Sequence, residues 1–134
     1  LSRIEFKYQK ESSNIFASIK RPRVTLQVFS RVFKEWIVVE DVLADTGADI
    51  SIIPKTLGII LVGEITNRRR YKIHGMVSSA FMYLHRLKIR LDGKELFATV
   101  AIANSDNVPP TLGRKHALDK FKVIFDRGQR LRFS

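Results

Sequence analysis

The chain has 134 residues, 24 Lys and Arg against 13 Asp and Glu, a formal net charge of +11 and no cysteine. That length fits one domain able to bury its own core, and 45% hydrophobic with 28% charged residues is the composition of a folded chain, not a disordered one. Zero cysteine excludes disulfides, thiolate nucleophiles and cysteine-type zinc sites, while no apolar run is long enough to cross a bilayer and no signal-peptide pattern opens the chain. Beginning at Leu1, the chain reads as a soluble segment trimmed or released from something longer.

In chain order, Ile4, Phe6 and Tyr8 alternate with Glu5, Lys7 and Gln9, the two-residue period of a half-buried strand. Ser12-Ser13-Asn14 reads as a turn into a short apolar run, Ile15 to Ile19, and Arg21-Pro22 punctuates. Residues 1–20 are therefore expected to be an N-terminal extension folded as a β-hairpin, ahead of a main domain at 21–134. Val24, Leu26 and Val28 form a second alternating strand, and Trp36 to Leu43 a third. The segment Leu57 to Gly63 is apolar without a pattern and receives no assignment. Arg70–His74 and Ala80–Leu84 fit a hairpin with Gly75 to Ser79 at its tip. Leu87, Ile89 and Leu91 alternate up to Asp92-Gly93, a dipeptide suited to a tight hairpin turn, and Glu95 to Ala103 returns. From Arg114 to Phe121 the β-branched residues drop out, and Ala117, Leu118 and Phe121 share helical spacing; this is the one helix expected. Val123–Phe125, a turn at Asp126-Arg127-Gly128 and Arg130–Phe133 complete an all-β chain.

The chemically informative stretch is Val42-Leu43-Ala44-Asp45-Thr46-Gly47-Ala48-Asp49-Ile50-Ser51-Ile52-Ile53-Pro54. An apolar strand runs into Asp-Thr-Gly-Ala, and another apolar strand leaves. Asp and Gly are poor strand formers, so their place between two strong β runs needs a reason. A plain turn is one. The other is a rigid strand end presenting a carboxylate, with Gly47 admitting a close neighbour and Thr46 offering a hydroxyl. Some 65 residues later, Pro109-Pro110-Thr111-Leu112-Gly113-Arg114 leads into the expected helix.

Together these motifs resemble the retropepsins, the single-domain aspartic proteases of retroviruses, retroelements and some cellular genomes. The resemblance runs from about Arg21 to the end. It implies an acid-protease fold with one short C-terminal helix, active as a two-fold homodimer on peptide or protein substrates, with no cofactor and no metal. Carried over, Asp45 is the catalytic aspartate. Thr46 bonds across the active site to the partner loop, Gly47 lines substrate backbone, and Ala48 completes the loop. Asp49 forms a structural ion pair with Arg114, a pair whose loss costs ~3–5 kcal/mol where burial is deep. His74, Gly75, Met76 and Val77 fall in the flap, and Leu131 and Phe133 in terminal strands expected at the dimer interface. Three features depart from the pattern: the flap tip holds less glycine, Thr111 stands where a branched aliphatic is usual, and Lys115-His116 follows Arg114 where an acidic or amide residue is common.

Such chemistry needs two carboxyls on one water, one ionised to accept its proton and one protonated to polarise the scissile carbonyl. A single Asp-Thr-Gly supplies one of them. Asp41 lies a strand segment earlier and Asp49 leaves along the exit strand, so the economical second carboxyl is Asp45 of another copy. His74, His85 and His116 are isolated and no Gly-x-Ser-x-Gly is present, which disfavours zinc and serine hydrolases. Two other readings stay open: a non-catalytic dimeric peptide-binding module of the same fold, and a basic nucleic-acid-associated β protein. The last is raised by seven basic residues and no acid from Ile65 to Leu91, although a solvated face on alternating strands is the favoured account of them.

Overall fold

A computed structural model describes residues 4–74 and 79–134. Strands β1 (Ile4–Lys7), β2 (Gln9–Glu11) and β3 (Ile19–Arg21) precede the long pair β4 (Arg23–Ser30) and β5 (Glu35–Ala44). Then come β6 (Ser51–Ile53), helix α1 (Lys55–Val62), β7 (Arg70–His74), β8 (Ser79–Leu91) and β9 (Lys94–Ala103). The two-residue β10 (Thr111–Leu112), a 3-10 turn at Leu118–Lys120, β11 (Val123–Asp126) and β12 (Arg130–Phe133) complete the order.

Six strands close into a barrel in the order β4-β5-β10-β6-β9-β8, because β8 pairs back onto β4 at Arg90–Gln27 and Ile89–Val28. Closure satisfies the backbone groups that an open sheet would leave at its edges. The alternation seen in sequence sets what lies inside: Val24, Leu26 and Val28 of β4, Leu87, Ile89 and Leu91 of β8, and Ala98, Val100 and Ile102 of β9 are all buried in one core. Each large aliphatic among them contributes about 1.5–3 kcal/mol by leaving water. At the β8–β9 turn Asp92 and Gly93 both take positive φ (49° and 76°), as a two-residue hairpin matched to strand twist requires. β7 extends the sheet outward from β8, in register from Arg70–Tyr83 to His74–Ser79.

Around the barrel the N-terminal residues divide. β2 and β3 form a small hairpin, tied to β4 by Glu11, which accepts from Arg23 Nε at 2.7 Å and Nη2 at 3.0 Å. The apolar run at its tip is not a strand until Ile19. Ser13 Oγ accepts the Ile15 and Phe16 N–H groups and holds them in a turn, where both side chains are exposed. β1 instead pairs with β12, giving a separate sheet in the order β1-β12-β11.

That sheet overturns one expectation. Leu131 and Phe133, placed by analogy at a dimer interface, are 0% and 1% exposed within their own chain. Phe133 is met edge-on by Phe6 at 6.0 Å and Phe121 at 5.4 Å between ring centroids. β12 is paired on both edges within the chain, by β1 and by β11.

The helices also differ from expectation. The only α-helix among the described residues is α1, in the stretch without a pattern. Pro54 precedes it, and the Gly63 N–H closes its end on Ile59 O at 2.8 Å, the usual proline-in, glycine-out punctuation. The expected C-terminal helix at Arg114–Phe121 is a run of turns ending in the Leu118–Lys120 3-10 turn. His116 is the cause: its φ is +61°, which breaks the helix, and its Nδ1 accepts the Thr99 N–H of β9 at 3.2 Å.

Candidate active site

Asp45 stands one residue past the end of β5, at the mouth of the barrel. Its position is fixed from a distant part of the chain. β10 lies between β5 and β6, parallel to the first (Thr111–Leu43, Leu112–Ala44) and antiparallel to the second (Thr111–Ile52). The Asp45 N–H donates to Leu112 O at 3.0 Å, and Leu43 N–H to Pro110 O at 3.1 Å. In return, Arg114 N–H donates to Ala48 O and Lys115 N–H to Asp49 O, both at 2.9 Å. The loop from Asp45 to Ile50 is thus clamped at both ends by residues 110–115.

Gly113 makes that clamp possible. A Cβ on it would lie 2.5 Å from both the carbonyl carbon and oxygen of Ile50 and 2.9 Å from Ala48 O, so only glycine lets the two backbones lie this close. Its N–H donates to Ser51 Oγ at 2.9 Å, and Ser51 is buried. In the sequence Ser51 leaves only a faint sign, a lone serine opening an apolar strand. Thr111 is also buried, and its hydroxyl donates to Pro109 O at 3.2 Å, which satisfies the polar atom an aliphatic residue would not carry.

Within the loop, Gly47 N–H donates to Asp45 Oδ1 at 2.8 Å, and Ala48 N–H to Asp45 O at 3.2 Å. A Cβ on Gly47 would crowd the same Oδ1 at 3.2 Å. One carboxylate oxygen is therefore oriented, while the second accepts no hydrogen bond among the described residues. Asp45 is partly exposed and Thr46 and Gly47 are exposed, so the carboxylate can meet water and a substrate. Thr46 Oγ1 makes no hydrogen bond among the described residues.

An apolar wall begins where the loop ends. Met82, Ala101 and Ala103 are buried in a cluster separate from the barrel core, flanked by Ile50, Ile52, Leu84 and Val108. On the other flank Thr46 shares a concavity of about 500 Å³ with Arg114, Phe121, Val123 and Phe125, which brings the loop beside edge strand β11.

The expected Asp49–Arg114 ion pair is not formed. Arg114 Nε lies 3.4 Å from Asp119 Oδ1 instead, with both side chains about half exposed, and Asp49 has no ion-pair partner among the described residues. Asp49 and Arg114 line one cleft of about 460 Å³ with Lys115 and His116, and the backbone bond from Lys115 to Asp49 supplies the tie that the side chains were expected to make. Of the flap residues, His74 ends β7 opposite Ser79, while Gly75, Met76 and Val77 lie outside the described residues. Among the described residues no group of three or more His, Cys, Asp and Glu could hold a metal, and no helix is long and apolar enough to cross a membrane. No protein-family model and no curated protein matches the chain.

Proposed function

We propose that the chain is a retropepsin-like aspartic endopeptidase whose active site is completed by a second copy. The observation that carries this reading is the clamp: an Asp-Thr-Gly loop at a strand end, locked by a Gly-Arg segment laid between the strands that enter and leave it. Such a lock costs close backbone approach and a buried serine to hold one exposed carboxylate still, which a mere turn does not need. Two Asp45 carboxyls facing one water share a single proton, because two like charges about 3 Å apart cannot both ionise cheaply. One then accepts the proton of the water while the other donates to the carbonyl oxygen of the scissile bond. The apolar wall of Ile50, Ile52 and Leu84 supports binding of side chains beside an extended substrate backbone.

The two-fold contact is best supported at β11. It is an edge of the terminal sheet, it neighbours Thr46, and it exposes Ile124 and Phe125 (40% and 38%). Antiparallel pairing of two β11 edges fits an isologous interface. Peptide cleavage followed between about pH 3 and pH 7 at rising protein concentration tests the reading. Asp45→Asn is expected to lower turnover by about 10²–10⁴-fold or more while leaving dimerisation intact. Phe125→Glu is expected to shift both dimerisation and activity to higher concentration. A strictly monomeric active species in sedimentation, or full activity in Asp45→Asn, would overturn it.

A further inference from the structure

The outer face of β4, β5, β8 and β9 carries a second arrangement that the Asp45 site does not use. Trp36, Phe29, Lys88 and Phe97 form one row across four neighbouring strands, with Phe29 opposite Trp36 and Lys88 opposite Phe97. Lys88 Nζ lies 5.3 Å from the Phe29 ring centroid, 5.7 Å from that of Phe97 and 6.0 Å from that of Trp36. Arg90 lies 3.9 Å over the Trp36 ring and Arg86 5.8 Å from that of Phe97. Arg90 is offset by Glu95 at 2.8 Å, but neither Arg86 nor Lys88 has an acidic partner among the described residues. Phe97, at the β9 end of the row, is 56% exposed, and Glu95 two residues before it is an acidic group that Lys88 also acts on.

We infer that this face binds single-stranded nucleic acid, with phosphates drawn to Arg86 and Lys88 and bases stacked on Phe97 and on the guanidinium plane over Trp36. Charge complementarity alone would admit any polyanion. The aromatic rings between the cations select for one whose charged backbone carries flat π faces at short intervals, and a duplex hides those faces inside its stack. A barrel wall that alternates cations with rings is a platform of that kind.

Trp36 is the only tryptophan, so its fluorescence reports on this face directly. Titration of the full chain with a 20-nucleotide oligothymidylate at low salt is expected to quench it to saturation. Phe97→Ala, at an exposed position, should weaken binding roughly 5- to 150-fold, the usual worth of one stacked base. Arg86→Ala and Lys88→Ala should each lower the slope of log affinity against log salt by about 0.7. Asp45→Asn should bind as the parent does, which separates this site from the proposed protease reading. Equal binding of a duplex or of polyglutamate of matched charge, or an unchanged affinity in Phe97→Ala, would overturn the inference and leave a nonspecific basic face.

Discussion

Around Asp45 the chain is held by its backbone; around Lys88 it is held only in register, and the side chains do the rest. In the first region Leu112, Gly113 and Arg114 meet Asp45, Ala48 and Ser51 through main-chain groups or a buried hydroxyl, at distances that leave no room for one methyl group. In the second, Phe29, Lys88 and Phe97 stand on strands whose ladders tolerate many outward side chains. The difference predicts how each region answers to substitution. The stability of the clamp should respond to volume and be indifferent to salt, while the outer face should tolerate substitution in the fold and answer, in binding, to loss of charge or of an aromatic ring.

Gly113→Ala is the strongest way to break that contrast. The new Cβ meets the Ile50 carbonyl, which cannot rotate aside as a side chain can, so the loop and β10 must separate. Overpacking of this kind costs about 1–3 kcal/mol, and a backbone obstacle places the loss at the upper end. Urea unfolding should show a lower midpoint with an unchanged slope. Loss of cleavage should accompany it, because Asp45 takes its N–H partner from Leu112. An alanine variant as stable as the parent would mean the two segments are not packed this closely.

The same contrast explains what the sequence could show. Asp45-Thr46-Gly47 and Leu112-Gly113-Arg114 were visible because a backbone clamp restricts residue type, and restricted types leave a motif. The strands were visible because one face of each is buried. Helix α1 was missed because one of its ties is remote: Asp106 accepts the Thr56 N–H at 2.8 Å and the Thr56 hydroxyl at 2.6 Å, a partner no local window contains. The helix expected at Arg114–Phe121 failed for the converse reason, since His116 is drawn away by Thr99. The row from Trp36 to Phe97 spans four strands, so it cannot be assembled before the register is known.

A third region, on β8, should answer to pH. His85 is buried on β8, its Nε2–H donating to Ile65 O at 2.8 Å and its Nδ1 without a hydrogen-bond partner among the described residues. Burial, with smaller contributions from Arg31 and Arg68, holds its pKa below the ordinary value of 6.5, against the opposing pull of the Ile65 carbonyl. The folded state therefore favours neutral imidazole, and the unfolded chain binds the proton more readily. His85 contributes its full stability above about pH 6.5 and loses it as pH falls through the depressed folded value. The melting midpoint should fall from about pH 7 to pH 5, and His85→Gln should flatten that part of the profile. The fold would then limit activity on the acid side, where the proposed pair of Asp45 carboxyls works best.

Arg114→Ala should have the smallest effect, and it tests the contrast from within the clamp itself. Residue 114 contributes its backbone N–H to Ala48 and its side chain to Asp119, so the substitution removes only the side-chain half. With 54% and 51% of the two side chains exposed, solvent screens that ion pair, and such pairs are worth about 0–1 kcal/mol. Stability should drop by less than about 1 kcal/mol, and added salt should shrink the difference further. A loss nearer the ~3–5 kcal/mol of a buried pair would mean that the guanidinium reaches Asp49 in solution. The loop would then be held by charge as well as by main chain, and the division between a backbone-held site and a side-chain-held face would fail at Arg114.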